Sequence, residues 1–295
     1  MLKALFKTMR PRQWPKNGFV FVALFFDGKV LDAGSVMRTV AAFVLLCFMS
    51  SAVYIMNDLA DIEADRQHPE KKKRPLPAGK LNPTVAAVAA VIFALGSLVA
   101  GFALSFGLGW ILLAYLVIQI AYTFWLKNVV IWDVLIVSAG FILRIAAGVA
   151  VIDVQRFSPW LYVFGGFLAL FMVLGKRRHE PTLLGEGASS HRAILQEYNL
   201  DLIDRMLTTV TTSAIAAYSL YTFLAEGLPE NHAMMLTIPF VLYGIFRWLY
   251  LIHVRHEGGA PEEIVLRDRP LQATLILYGL LVFFILYNPL DYFIP

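Results

Sequence analysis

Apolar runs of about 20 residues recur along nearly the whole sequence, and that length matches the ~30 Å hydrocarbon core of a bilayer. Nine windows qualify, near 18–31, 36–57, 83–104, 108–126, 130–151, 158–175, 206–225, 233–252 and 271–288. The first is the weakest, because Asp27-Gly28-Lys29 interrupts it. Composition agrees: 59% of the 295 residues are hydrophobic, 16% are charged and the mean hydropathy is +0.67. A soluble domain of this size needs far more polar surface. The expected fold class is therefore an all-α polytopic membrane protein with nine transmembrane helices, or eight if the interrupted first window does not span. The first 17 residues are basic and amphipathic, with no cleavage site after a short apolar core, so the N-terminus is expected to persist. Cys47 is the sole cysteine, which excludes an intrachain disulfide and a thiolate metal site.

Charge sets the orientation. With the N-terminus in the cytoplasm, 20 of the 25 Lys and Arg fall on the inner side, in residues 1–17, 58–82, 176–205 and 253–270 and at Lys127. Only Lys29, Arg38 and Arg156 fall outside, a strong positive-inside bias. The net charge of +4 thus reflects topology, and no nucleic-acid partner is expected. The inner segments are long, charged and punctuated by Pro and Gly, whereas the outer ones are short. Function is expected on the cytoplasmic face. No linker or low-complexity tract divides the chain, so residues 1–295 read as one domain.

The most informative inner segment begins at Asn57-Asp58-x-x-Asp61-x-x-x-Asp65. On one helix, Asn57, Asp61 and Asp65 stand at i, i+4 and i+8, with Asp58 one turn before Asp61, so all four share a broad face. Nothing in that strip neutralises them. Hard oxygen donors in this pattern suit Mg²⁺ that keeps waters and substrate phosphates, and a negative cluster at a helix C-terminus otherwise opposes the macrodipole. A basic, proline-fixed loop follows, from His68 to Gly79, with Lys71, Lys72, Lys73 and Arg74. Metal and cations together stabilise a diphosphate leaving group. The expected metal ligands are Asn57, Asp58, Asp61 and Asp65. Asp58, Asp61, Asp65, Lys71 and Arg74 are the expected catalytic set.

Residues 57–79 resemble the first signature of the UbiA superfamily of intramembrane prenyltransferases, an ND-x-x-D-x-x-x-D motif with a basic RP-x-x-x-G loop after it. The resemblance implies a UbiA-like helical bundle with a cytoplasm-facing cavity that also opens toward lipid. More of the chain is similar to one branch, the decaprenyl-phosphate phosphoribosyltransferases. The matching stretches are 10–17 (RPRQWPKN), His68 to Pro75, Tyr122 to Lys127, Gly140-Phe141-x-x-Arg144, 175–180 (GKRRHE), 191–198 (HRAILQEY) and 266–271 (LRDRPL). That branch implies transfer of 5-phosphoribose from phosphoribosyl diphosphate (PRPP) to decaprenyl or another polyprenyl phosphate, with release of diphosphate, in the synthesis of arabinose donors for cell-wall glycans. It also implies Mg²⁺ as cofactor, a bacterial inner (plasma) membrane and an active site facing the cytoplasm. PRPP, polyprenyl phosphate and the bilayer are the expected partners, and a homo-oligomer stays open. The implied substrate-binding residues are Lys16, Asn17, Arg66, Tyr122, Lys127, Arg144, Lys176, Arg177, Tyr198 and Arg267.

One departure bears on the substrate. Ordinary UbiA enzymes carry a second aspartate-rich motif after helix 6, and this chain has Lys176-Arg177-Arg178 there. A second cationic cluster suits a sugar bearing both a 5-phosphate and a diphosphate, with an acceptor that is itself a phosphate. Two alternatives remain: a prenyltransferase using a prenyl diphosphate, which calls for the missing motif, and an anion transporter, which calls for polar breaks near the midplane. Arg144 stands about 14 residues into its helix, where an ionisable residue needs a partner or a cavity. Asp133 lies about 16 Å from it along the axis, too far for a salt bridge. Asp268 reads as a helix N-cap, and Trp14, Trp125, Trp132 and Trp160 as interfacial anchors.

Overall fold

The computed structural model describes residues 1–69, 71–154, 157–184, 197–257 and 261–287. Their regular structure is helical, with no strand among them. The expected motif residues 191–196 and the outer cation Arg156 lie outside the described residues. The chain divides into two compact units, residues 1–25, 29–136 and 143–153 in the first and residues 26–28, 137–142 and 154–295 in the second.

The first unit opens with α1 (Leu2–Thr8), a 3₁₀ segment (Pro11–Val20) and α2 (Phe21–Phe26). Then come α3 (Ala33–Ala60), α4 (Ile62–Gln67), α5 (Pro83–Leu104), α6 (Phe106–Phe124) and most of α7 (Trp132–Val151). The second unit is built on α8 (Pro159–Leu184), α9 (Leu200–Leu224), a 3₁₀ turn (Ala233–Thr237), α10 (Ile238–His253), α11 (Pro261–Arg267) and α12 (Arg269–Tyr287).

Among the described residues, seven helical segments are long and apolar enough to cross a membrane: α3, α5, α6, α7, Pro159–His179, Ala233–His253 and α12. The two other expected windows differ for physical reasons. Window 18–31 falls on the 3₁₀ segment and the six-residue α2, because Pro15 breaks the turn pattern and Gly28 takes a left-handed φ of 71°. Window 206–225 falls on α9 and its C-cap Ala225; α9 is a 25-residue helix whose first turns hold Asp201, Asp204 and Arg205 and which carries a run of hydroxyls. Thr208, Thr209, Thr212 and Ser213 each donate to the carbonyl four residues back at 2.9–3.0 Å, which satisfies them in an apolar setting.

α3 is capped at its start by Asp32, whose carboxylate accepts from Ser35 N–H at 2.8 Å. Its 28 residues span about 42 Å at helical rise, more than the hydrocarbon core, a length that allows its last turn, with Asn57 and Asp58, to reach the membrane surface. α5 begins with Pro83 behind an Asn82 cap and exposes Val88, Val91, Ile92, Leu95 and Val99, a face suited to lipid. Gly148 of α7 lets the N-terminal segment approach: a Cβ there meets the Val20 carbonyl oxygen at 2.0 Å. Gly148→Ala is therefore expected to cost about 1–3 kcal/mol through overpacking, read as a lower melting temperature. An unshifted melt contradicts this packing.

In the second unit, the Tyr218 hydroxyl pairs with Thr237 Oγ1 at 2.6 Å and donates to the Tyr278 hydroxyl at 3.1 Å. This chain ties α9, the 3₁₀ turn and α12. Gly175 of α8 faces Ile252 of α10, where a Cβ meets Cδ1 at 2.7 Å.

Candidate active site

The acidic motif does not lie on one continuous helix. α3 ends at Ala60, the φ of −103° and ψ of 14° at its C-cap Asp61 leave the helical region, and α4 starts at Ile62. The expected single strip is thus broken. Asp58 and Asp65 turn to a common cation, with Arg74 Nη1 donating to Asp58 Oδ1 at 3.1 Å and to Asp65 Oδ2 at 2.7 Å. Asp61 instead meets Lys127 Nζ at 2.8 Å. Asn57 Oδ1 accepts from the Thr123 hydroxyl. Neutralising partners, absent from the strip itself, arrive from other segments. Arg10 donates to Asp58, and Lys71 Nζ lies 3.6 Å from Asp65 Oδ1.

Burial separates the three carboxylates. The side chains of Asp58 and Asp65 are 2% and 3% exposed, that of Asp61 41%. The basic loop stays near them because Leu76 and Leu81 bury beside Met9, Ile55 and Ala86. A Lys80 N–H to Pro75 carbonyl bond of 2.8 Å, with Gly79 at φ 69°, closes the turn. The N-terminal segment is held by Trp14 Nε1, which donates to Ser51 Oγ at 3.1 Å, and Ser51 donates to the Met9 carbonyl at 3.1 Å. The Arg10 guanidinium also lies 4.9 Å from the Tyr54 ring centre.

Deeper in the same unit is a second polar group. Arg144 Nε donates to Asn17 Oδ1 at 2.8 Å, and its Nη2 donates to the Tyr115 hydroxyl at 3.1 Å. The Asn17 amide donates to Ser50 Oγ and Cys47 Sγ, each at 3.2 Å. Asn17 and Arg144 are 1% and 6% exposed. Lys16 and Tyr122 are half-buried. Arg66 pairs with exposed Glu63 at 2.7 Å on the surface of α4.

In the second unit, Lys176 is exposed while Arg177 and Tyr198 are buried. Arg178 grips Asp204 with Nε–Oδ1 and Nη2–Oδ2 distances of 2.6 and 3.2 Å, and His253 Nε2 lies 3.3 Å from the same carboxylate. Burial opposes the Asp204 charge, but Arg178 and then His253 outweigh it and hold the carboxyl below its usual range. Asp268 caps α12 by accepting from Leu271 N–H at 2.9 Å. Its carboxyl is held low, first by the hydrogen bond from Arg247. Arg267 is exposed beside it.

The donor types at the acidic motif, three carboxylates and an amide oxygen, match a hard divalent cation. In this arrangement the carboxylates face basic side chains, and among the described residues no three Asp, Glu, His or Cys side chains are grouped to hold a metal. Sequence reasoning missed Arg10, Thr123 and Tyr115. Arg10 belongs to the 10–17 stretch already singled out, but it reads there as one more topology-setting charge.

The UbiA prenyltransferase family matches residues 18–262. This chain belongs to that family. The decaprenyl-phosphate phosphoribosyltransferase of Mycobacterium tuberculosis is 34% identical over 283 residues, covering 94% of this chain and 92% of that protein. Its namesake from Corynebacterium glutamicum is 31% identical over 287 residues, covering 93% and 84%. Among solved structures, a UbiA homolog from Archaeoglobus fulgidus bound to GPP and Mg²⁺ superposes with a TM-score of 0.75 at 16% identity, over 96% of this chain and 99% of that one. The fold is the UbiA fold, and this UbiA-family member is a multi-pass membrane protein.

Proposed function

We propose that this UbiA-family protein transfers 5-phosphoribose from PRPP to a polyprenyl phosphate such as decaprenyl phosphate, releasing diphosphate. The observation that carries the reading is its similarity, over nearly its whole length, to relatives named for this reaction. The site's charge balance supports it: Arg10, Lys71, Arg74 and Lys127 surround Asp58, Asp61 and Asp65. Asn57, Asp58, Asp61 and Asp65 would hold Mg²⁺, which supplies charge neutralisation at the diphosphate leaving group. Lys71, Arg74 and Lys127 neutralise the remaining phosphate oxygens. Lys176 and Arg177 serve the additional phosphates of donor and acceptor, with Lys16, Arg66, Tyr122, Tyr198 and Arg267 as further contacts.

The acceptor phosphate is an anion at neutral pH and attacks C1 directly as the C1–O bond to diphosphate breaks. No general base is required. In this reading the chain works as one domain of nine spans, with the Pro11–Val20 segment and α2 together making one of the two remaining spans and α9 the other. Its cavity faces the cytoplasm from a bacterial inner membrane, and the product enters arabinose-donor synthesis.

Purified protein incubated with Mg²⁺, labelled PRPP and polyprenyl phosphate is expected to yield a labelled lipid. Turnover of a prenyl diphosphate with no labelled lipid from PRPP would instead establish the prenyltransferase alternative.

A further inference from the structure

Asp58 Oδ1 receives two guanidinium groups at once, Arg10 Nη2 and Arg74 Nη1. Arg74 is committed twice, since it also holds Asp65 at 2.7 Å, whereas Arg10 reaches only Asp58 among these acids. The acids are fixed and buried, while the side chains of Arg10, Arg74 and Lys71 are 28%, 33% and 41% exposed. The cations therefore reach inward from the surface on long, flexible stems.

A divalent ion ligated by Asp58 would bind the oxygen that these two groups already occupy. Two guanidinium charges and a metal charge cannot share that atom in a site largely shielded from water, because their repulsion is poorly screened. Whichever cation leaves finds a new partner in the phosphates that accompany the metal, and arginine suits them because its planar fork binds phosphate with two parallel hydrogen bonds. Arg10 is the less committed of the two. Its backbone is also held in the left-handed region, at φ 53° and ψ 60°, directly before Pro11, a conformation disfavoured for a residue with a Cβ and for one preceding proline. The Gln13 N–H to Arg10 carbonyl bond of 2.8 Å and the Trp14–Ser51 bond of 3.1 Å keep it there. Strain that the surroundings enforce in this way collects at functional positions.

We infer that Arg10 is a ligand for the donor's phosphate, held in reserve on Asp58. On binding of the metal–diphosphate, Asp58 exchanges guanidinium for metal and Arg10 passes to a phosphate oxygen. The inference rests on the reading of this site as one for a metal diphosphate. It gives Arg10 opposite effects on two equilibria: the side chain competes with free metal and recruits metal-bound diphosphate.

The experiment measures Mn²⁺ binding to the purified full chain in detergent by electron paramagnetic resonance, alone and with inorganic diphosphate. Arg10→Gln is compared with wild type, with Arg10→Lys and with exposed Arg12→Gln as control. Arg10→Gln is expected to bind Mn²⁺ alone about fivefold tighter, since a competing charge is gone, and Mn²⁺-diphosphate about tenfold weaker. Arg10→Lys should shift both constants in the same directions by less, and it decides the matter if Arg10→Gln does not yield folded protein. Arg12→Gln should move neither constant. Weaker binding of both probes would assign Arg10 a merely structural role and overturn the inference. So would tighter Mn²⁺ binding with unchanged diphosphate binding, or unchanged Mn²⁺ binding. Wild-type protein that binds no Mn²⁺ even with diphosphate would overturn the metal-diphosphate reading itself, and Arg10's exchange with it.

Discussion

Asp58→Asn is expected to lower the proposed phosphoribosyl transfer by on the order of a thousandfold, the scale set by losing a fixed charge that stabilises a leaving group. The substitution is nearly isosteric, so it leaves the packing of α3 in place. What it removes is the negative charge on a side chain 2% exposed that gathers Arg10 and Arg74. Without that charge the proposed metal site loses an anionic ligand, and before the ligand binds the two guanidinium groups lose the carboxylate that gathers them at the site. Asp65→Asn should behave alike, since Asp65 holds Arg74 at 2.7 Å and is 3% exposed. Glu63→Gln, on an exposed side chain, is the control and should stay within about twofold of wild type, since surface pairs contribute little. The measurement is the initial rate of labelled-lipid formation at saturating Mg²⁺, with circular dichroism to verify the helices. Activity within tenfold of wild type in both aspartate variants would sink the assignment of the acidic motif to the leaving group.

The spanning helices were legible because apolar run length is a physical requirement of the bilayer. The window at 83–104 coincides with α5, that at 108–126 is shifted two residues along from α6, and that at 130–151 starts two residues before α7. Asn82-Pro83 marked a start through capping and a fixed φ, and Asp268 a start through its carboxylate. The same periodic logic failed at Asp61. A helical wheel cannot show that the chain leaves the helix there, because nothing in DLADIEAD breaks a helix by composition. The break comes from partners distant in sequence: Lys127 draws Asp61 one way while Arg74 draws Asp58 and Asp65 another. Arg10 was illegible for a related reason. A cation near a membrane surface satisfies the positive-inside rule whatever else it does, so its pairing with Asp58, 48 residues away, leaves no local trace. Arg144 was legible as a residue in need of a partner. Its partners were not, because Asn17 and Tyr115 are 127 and 29 residues distant and neither is acidic.

That pairing makes Asn17→Ala the most disruptive substitution expected outside the acidic motif. Removing the amide takes away the carbonyl oxygen that accepts from Arg144 Nε and leaves a guanidinium that is 6% exposed without that acceptor. Leaving a buried donor without its acceptor costs about 1–3 kcal/mol, and more when the donor is charged, a large share of the stability of a marginally stable bundle. Asn17→Asp should retain far more stability, because a carboxylate still accepts from Arg144 and adds a charge pair, while the Ser50 hydroxyl can rotate to donate in place of the lost amide. Arg144→Met should fall between them, because it removes the buried charge itself and leaves only neutral acceptors at Asn17 and Tyr115 short of a donor. Thermal melts in detergent read this order directly. Activity adds a second discrimination, because Asn17 anchors the 3₁₀ segment that begins just after Arg10. If the group is purely a stability device, Asn17→Asp restores both melting temperature and turnover. If Asn17 also touches a substrate phosphate, Asn17→Asp restores the melt but raises KM, since the new negative charge repels the ligand. An alanine variant that melts with wild type would show that Arg144 is held by its remaining contacts and that Asn17 is dispensable to the fold.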